Sequence, residues 1–260
     1  MKIIRLVQVT DIHLLENSED EIFGVNPEKA FREVLSHAVS PTVNPDFIVA
    51  TGDLSEDGSH SAYSRLQAIF GEINVPTFVL PGNHDSVKNM QESLVNLTIK
   101  MEQVTEIGGW VIIFLNSQVE GRAYGIVDSE SLLRLEDTLN TNDEKPCLVA
   151  LHHSPISECL SDVCQLVNKQ EFLNVIEKHK NVKGVISGHT HWSVEYSRPG
   201  FELLTTPSTF LHITHPQEGE SENPEDFIKS HSFDSNKRGY RVIDLFPNGD
   251  LVSEVCWVPI

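Results

Sequence analysis

"VISGHTHWS", residues 185–193, closes a short apolar run on Gly188 and then sets His189 and His191 one residue apart. In a regular strand, side chains two residues apart share a face, and in a helix that spacing spreads them. A glycine at the junction lets the backbone turn sharply where the strand ends. The reading is therefore a buried strand, a turn, and two imidazoles brought together from different directions.

The same pattern recurs. "IIRLVQVT" (3–10) runs into Asp11 and His13, "DFIVATG" (46–52) into Asp53, and "PTFVLPG" (76–82) into Asn83, His84 and Asp85. "PCLVAL" (146–151) runs into His152 and His153. Near-continuous apolar runs of this length suit strands covered on both faces, and helices are expected between them, so a layered α/β architecture is favoured. The clearest helix opens at "GVNPEKAFREVLSHA" (24–38), with Asn26 as cap, Pro27 in the first turn and Ala30, Phe31, Val34 and Leu35 as its apolar stripe. Others are expected around residues 61–73, 128–139 and 168–179. "RVIDLFPNGDLVSEVCW" (241–257) reads as a hairpin with a two-residue turn at Asn248-Gly249.

In α/β sheets, ligands bind beyond the carboxyl ends of the strands, because the loops there converge. Five strand ends thus bring Asp, His and Asn to one place. Imidazole, carboxylate and carboxamide together suit manganese, iron, zinc or cobalt better than calcium or magnesium, which prefer oxygen ligands. The ligand count exceeds the needs of one ion. Two divalent cations sharing one carboxylate would use them all and leave positions for water and substrate.

The chain has 260 residues, 39% hydrophobic and 22% charged, and reads as one domain over 1–260. With 19 Lys and Arg against 38 Asp and Glu, its formal charge of −19 is opposite to the footprint of a polynucleotide binder. An anionic substrate would therefore need local positive charge, and bound cations supply it. The four cysteines form no CxxC pair and read as reduced thiols. The N-terminal apolar stretch is too short to span a bilayer and reads as a first strand, which points to a cytoplasmic protein without a membrane partner. His37, His60, His179 and His231 read as surface residues, and Trp110, Trp192 and Trp257 as packing. The acidic stretch at about 214–238 reads as a surface loop or flap. Ahead of it, "STFLHITH" (208–215) is placed to meet the non-reacting part of a substrate, with His212 and His215 either contacting it or serving as ordinary loop residues.

The series "DIH" at Asp11, "GD" at Gly52, "GNHD" at Gly82, "HH" at His152 and "GHTH" at Gly188 resembles, in full and in order, the signature of the calcineurin-like metallophosphoesterases. "FGVNPEKAF" (23–31), "VATGDLSEDGSHSAY" (49–63), "LNSQVEGRAYG" (115–125) and "TTPSTF" (205–210) are most similar to the bacterial class III 3′,5′-cyclic-AMP phosphodiesterases. The stretch after "TTPSTF" is longer and more acidic than that group's pattern.

The resemblance implies a four-layer fold, two mixed β-sheets packed as a sandwich and flanked by helices. It implies two divalent metals, iron or manganese ahead of zinc or cobalt. Asp11, His13 and His191 would hold one, Asn83, His152 and His189 the other, and Asp53 would bridge them. His84 would be the proton donor, oriented by Asp85, and His84, Asn83 and His191 would face the substrate. His153 has no ligand role and is expected behind the ligands. The activity implied is hydrolysis of cyclic AMP, a small-molecule phosphodiester, to the nucleoside 5′-monophosphate. The alternatives are another small diester such as a glycerophosphodiester, or an inactive scaffold, which would be expected to have lost ligands. A homo-oligomer is compatible with the sequence.

Overall fold

In the computed structural model, which describes residues 2–156, 165–213 and 233–259, the apolar runs become two six-stranded sheets packed face to face. In chain order the elements are β1 (Ile4–Val9), α1 (Pro27–Ala38), β2 (Phe47–Thr51), α2 (His60–Ile73), β3 (Thr77–Leu80), α3 (Val87–Ser93), β4 (Ile99–Lys100), β5 (Val104–Ile107), β6 (Trp110–Phe114) and α4 (Ser129–Thr141). There follow β7 (Cys147–Ala150), α5 (Lys169–Lys178), β8 (Val182–Ser187), β9 (Glu195–Arg198), β10 (Phe201–Thr205), β11 (His212–Ile213), β12 (Phe233–Asp234), β13 (Arg238–Leu245) and β14 (Leu251–Val258). One sheet has the order β14-β13-β1-β2-β3-β4 and the other β5-β6-β7-β8-β10-β9. Both are mixed: β1 to β4 and β6-β7-β8-β10 run parallel, and the outer strands β13, β14, β5 and β9 pair antiparallel.

The period of two along each strand divides the core into three layers. In the first sheet Val7, Val9, Ile48, Ala50 and Val79 face α1 and α2, whose Phe31, Val34, Tyr63, Leu66 and Phe70 pack on them. The alternate residues Leu6, Phe47, Val49, Phe78 and Leu80 meet Trp110, Ile112, Phe114, Leu148 and Ile186 of the second sheet. The far face of that sheet is closed by α4 and α5 through Leu135, Leu139, Phe172 and Ile176. This is the expected four-layer sandwich. The helix at 27–38 starts as read, with Asn26 accepting from Lys29 N at 2.9 Å.

The parallel strands carry their carboxyl ends to one rim, and the inter-sheet layer turns polar there. Gln8, fully buried on β1, donates to Thr51 Oγ1 at 2.9 Å and to the Ser187 carbonyl at 3.1 Å, and accepts from Thr206 Oγ1 at 2.6 Å. One amide thus ties both sheets directly beneath the strand ends, with every polar atom satisfied.

The hairpin between β13 and β14 differs from the two-residue turn expected at Asn248-Gly249. Phe246 N pairs with Asp250 O, Gly249 N with Phe246 O, and only Gly249 has positive φ, at 90°. A two-residue type I′ turn needs left-handed backbone at both central positions. The turn instead starts at Phe246, where Pro247 presets the φ of an ordinary turn, and Gly249 takes the left-handed bulge. Of the flap expected at about 214–238, residues 214–232 lie outside the described residues. Its end, β12, pairs with β11. No helix among the described residues is long and apolar enough to cross a membrane.

Candidate metal centre

Five residues at the rim, Asp11, His13, Asp53, His189 and His191, have φ of 52°, 53°, 48°, 70° and 58°. Left-handed backbone at a non-glycine residue costs on the order of 1 kcal/mol or more and clusters where function demands a geometry. Here it resolves the histidine pair of the opening stretch. The chain leaves β8 through Gly188, Thr190 N bonds back to Gly188 O at 2.8 Å, and the two rings diverge. His189 Nδ1 lies 3.1 Å from His152 Nε2, whereas His191 Nε2 lies 3.2 Å from His13 Nε2. A Cβ on Gly188 would run into Thr10 Oγ1, and one on Gly52 would come within 2.5 Å of His152 Nδ1. These glycines are therefore required by close approach as well as by the turn.

The ring partners decide which nitrogens face the centre. His152 Nδ1 donates to Thr51 O at 2.8 Å, His191 Nδ1 to Leu211 O at 3.0 Å, and His13 Nδ1 to Glu56 Oε2 at 2.6 Å. Each ring so fixed turns Nε2 inward, where its neutral form presents a lone pair. His152 Nε2 then confronts Asn83 Oδ1 at 3.1 Å and Asp53 Oδ2 at 3.2 Å, and His191 Nε2 lies 3.6 Å from Asp11 Oδ1. Asp53 Oδ2 is also 3.8 Å from His13 Nε2. Acceptors converging on acceptors repel unless positive charge lies among them. The donor set thus fits divalent cations, with Asp11, His13 and His191 on one side, Asn83, His152 and His189 on the other, and Asp53 between.

The electrostatics agree. Burial opposes ionisation of Asp53, yet the surrounding imidazoles, His152 foremost, hold its carboxyl well below the usual range. Burial also opposes charge on His152, but Asp53 prevails and lifts its pKa to about 9, so in the metal-free protein this ring carries a second proton that a bound cation would displace. His191 is pushed down to about 4 by burial, which keeps it a neutral lone-pair donor. The site is a cation trap in a chain of net negative charge.

His84 is different. Its side chain is 36% exposed, its backbone N donates to Asp53 Oδ1 at 2.9 Å, and its ring stands edge-on to His13 with centroids 5.0 Å apart. Asp85 does not orient it, contrary to expectation. The buried Asp85 carboxylate accepts from Leu54 N, Ser55 N, Gly82 N and Tyr63 Oη, locking the loop after β3 to the loop after β2. Burial and the nearby Asp53 raise its pKa, so these four donors are what sustain it. The Tyr63 hydroxyl also accepts from Ser86 N at 2.8 Å. Tyr63→Phe should therefore cost about 2 kcal/mol, the scale of a buried hydrogen bond to a charged group. A thermal melt of the metal-free protein checks this, and an unchanged Tm would deny the Tyr63–Asp85 link any structural weight.

The carboxylate beside His84 is Glu56, with Oε2 3.3 Å from His84 Nδ1. Sequence reasoning missed Glu56, because it follows no apolar run and lies three residues beyond Asp53. His153 packs behind the ligands, its Nδ1 2.8 Å from Ser117 Oγ and its ring 4.6 Å from that of His189. His212 is not an ordinary loop residue. It is buried, and its Nδ1 donates to the backbone oxygen of His191 at 3.1 Å. His215 lies outside the described residues, as does His231. His37 and His60 are exposed, His179 is half-buried, Trp110 and Trp192 are buried, and Trp257 lies at the surface under Lys237. The centre opens into a cavity of about 160 Å³ walled by Ala123, Thr190, Trp192 and Ile213. A larger cleft of about 430 Å³ between β3, β6 and α4 holds none of these ligands.

Known proteins share both fold and sequence with this chain. The yellow lupin purple acid phosphatase PPD1 superposes with a TM-score of 0.69 at 12% identity, covering 99% of this chain and 52% of that one. A dimetal phosphatase from Danio rerio superposes with a TM-score of 0.61 at 13% identity, covering 98% of both. In sequence, the 3′,5′-cyclic adenosine monophosphate phosphodiesterase CpdA of Vibrio vulnificus is 31% identical, spanning 97% of this chain and 89% of that relative. The CpdA of Escherichia coli K12 is 32% identical over the same shares. A 3′,5′-cyclic-nucleotide phosphodiesterase of Nostoc is 30% identical over 98% of this chain and 93% of its own length. The family model described as calcineurin-like phosphoesterase matches residues 4–193, the span that carries every strand-end motif, and this chain belongs to that family.

Proposed function

We propose that the protein is a cytoplasmic dinuclear-metal phosphodiesterase that hydrolyses 3′,5′-cyclic AMP to 5′-AMP. The observation that carries this reading is the convergence at one rim, within hydrogen-bond distance of one another, of the potential metal ligands Asp11, His13, Asp53, Asn83, His152, His189 and His191. The substrate comes from the relatives named above, whose similarity spans nearly the whole chain. The mixed nitrogen and oxygen set suits iron, manganese, zinc or cobalt, and the family resemblance favours iron or manganese.

Bound there, such cations supply a water acidic enough to attack phosphorus near neutral pH, together with charge to neutralise the phosphoryl oxygens. The chain's own residues do the rest. Asp53 holds both halves of the ligand set at one separation and, through His84 N, fixes the loop that carries Asn83 and His84. With His84 Nδ1 turned to Glu56, the Nε2 edge remains for the substrate, where it protonates the ribose O3′ as the P–O3′ bond breaks. Asn83 and His191, which both line the cavity, bound the space for the phosphoryl group.

Purified protein loaded with manganese or iron should bind about two ions per chain and convert cyclic AMP to 5′-AMP. A chelator should remove that activity, and added metal should restore it. Turnover of glycerophosphodiesters or bis(p-nitrophenyl) phosphate without turnover of cyclic AMP would move the reading to another small diester.

A further inference from the structure

We propose that Phe23, backed by Phe233, is a stacking surface for the purine base of the substrate. The inference deepens the cyclic-nucleotide reading given above and rests on it. Phe23 is 61% exposed, and its ring lies on that of Phe233 with centroids 4.5 Å apart and planes 18° from parallel. Phe233 covers one face of the ring, and solvent meets the rest.

The backbone holds this ring outward under strain. Ile22 N bonds to Val25 O at 2.9 Å and Val25 N to Ile22 O at 3.0 Å, closing a two-residue turn with φ of 51° at Phe23 and 77° at Gly24. Asn or Gly takes the first position of such a turn readily, whereas a bulky aromatic there is an outlier. A strained position that presents its side chain to water points to use, since the core gains little from it. The turn is also well anchored. Asn26 Nδ2 donates to Ser18 O at 2.7 Å and Asp20 O at 3.2 Å, and Ile22 and Val25 pack on Ala30, Phe210 and Leu211.

The same apolar cluster reaches the metal centre, because the Phe210 ring lies 5.3 Å from that of His13 and 5.9 Å from that of His191. Phe233 of β12 is the direct partner of Ile213 of β11, and side chains opposite each other in an antiparallel pair share a face. Ile213 lines the metal cavity, whereas His212, on the other face, is buried with its ring 5.4 Å from that of Trp257. The cavity wall thus continues from Ile213 to Phe233 and on to Phe23. In 3′,5′-cyclic AMP the fused ribose and phosphate rings are rigid and hold the base away from phosphorus. A base directed along this wall meets the aromatic pair while the phosphoryl group stays among the ligands. Asp20 and Glu21, exposed beside the turn, repel a phosphate there and leave a neutral base undisturbed. Stacking needs only a π-face, so this surface separates nucleotides from diesters that carry no base.

The test uses the manganese-loaded protein and two competitive inhibitors that differ by the base, 5′-AMP and ribose 5-phosphate. Phe23→Ala and Phe23→Leu should each raise KM for cyclic AMP and the inhibition constant of 5′-AMP by about 5- to 100-fold, the scale of one base–aromatic stack. The inhibition constant of ribose 5-phosphate should not change. Leucine keeps an apolar contact with Phe233 but offers no π-face, so it separates stacking from a hydrophobic clasp. Phe23→Trp should bind 5′-AMP at least as tightly as the wild type. Wild-type constants for 5′-AMP in Phe23→Ala, equal weakening of both inhibitors, or full function in Phe23→Leu would each overturn the inference. Failure of the wild-type protein to cleave cyclic AMP would overturn the substrate assignment. The stacking surface would then be judged with both inhibitors against hydrolysis of bis(p-nitrophenyl) phosphate, where equal inhibition constants in the wild type would overturn it as well.

Discussion

Asp53→Ala is expected to abolish turnover and to empty the centre of metal. The side chain is 2% exposed, with Oδ2 reaching His152 Nε2 and His13 Nε2 from one atom, and Oδ1 accepting from His84 N. Asp11 also touches both halves, through His191 Nε2 and the His189 N–H, but Asp53 sets a single oxygen between a ring nitrogen of each half. Its removal takes away the negative charge that lets two cations sit near each other, and it releases the loop carrying Asn83. The transition-state stabilisation that metal ions provide amounts to several kcal/mol, so activity should drop by about a thousandfold or more. Asp53→Asn should retain the fold, as read by circular dichroism, while losing metal nearly as completely, because shape is kept and charge is not. Two ions per chain and appreciable turnover in either variant would rule out a shared carboxylate at this position.

The residues of the centre were legible because each stands where an apolar run stops. A carboxylate or imidazole directly after four to six buried residues has few structural reasons to be there, and five such junctions in one chain point to a shared rim. The partition into two sheets was not legible from the runs themselves, since parallel strands of either sheet read alike, and it came from the family resemblance. The short edges β4, β9, β11 and β12 carry too few residues to show a period. Glu56 and the true role of Asp85 were hidden for a different reason. Asp85 adjoins His84 in sequence, but the left-handed backbone at Asp53 folds the preceding loop over the Asp85 carboxylate, so its contacts are with Leu54, Ser55, Gly82 and Tyr63. Adjacency along the chain suggested a contact that the turn redirects.

His84→Ala is expected to separate chemistry from metal binding. The ring is the most exposed of the imidazoles at the centre, and what ties this residue to the metal ligands is its backbone N–H on Asp53, which alanine keeps. The variant should therefore bind two ions and melt close to the wild-type temperature. Its kcat for cyclic AMP should fall by about a hundredfold to ten-thousandfold, the usual contribution of a positioned proton donor. The alkoxide O3′ is a poor leaving group and suffers most when nothing protonates it, whereas p-nitrophenolate departs unaided, so hydrolysis of bis(p-nitrophenyl) phosphate should be reduced much less. His13, 5.0 Å away and held by Glu56, cannot replace the lost ring, since its Nε2 is turned to His191 and Asp53. If metal content fell in step with activity, His84 would be a ligand in its own right, in keeping with its closeness to His13 and Asp53, and proton donation to O3′ would have to come from solvent.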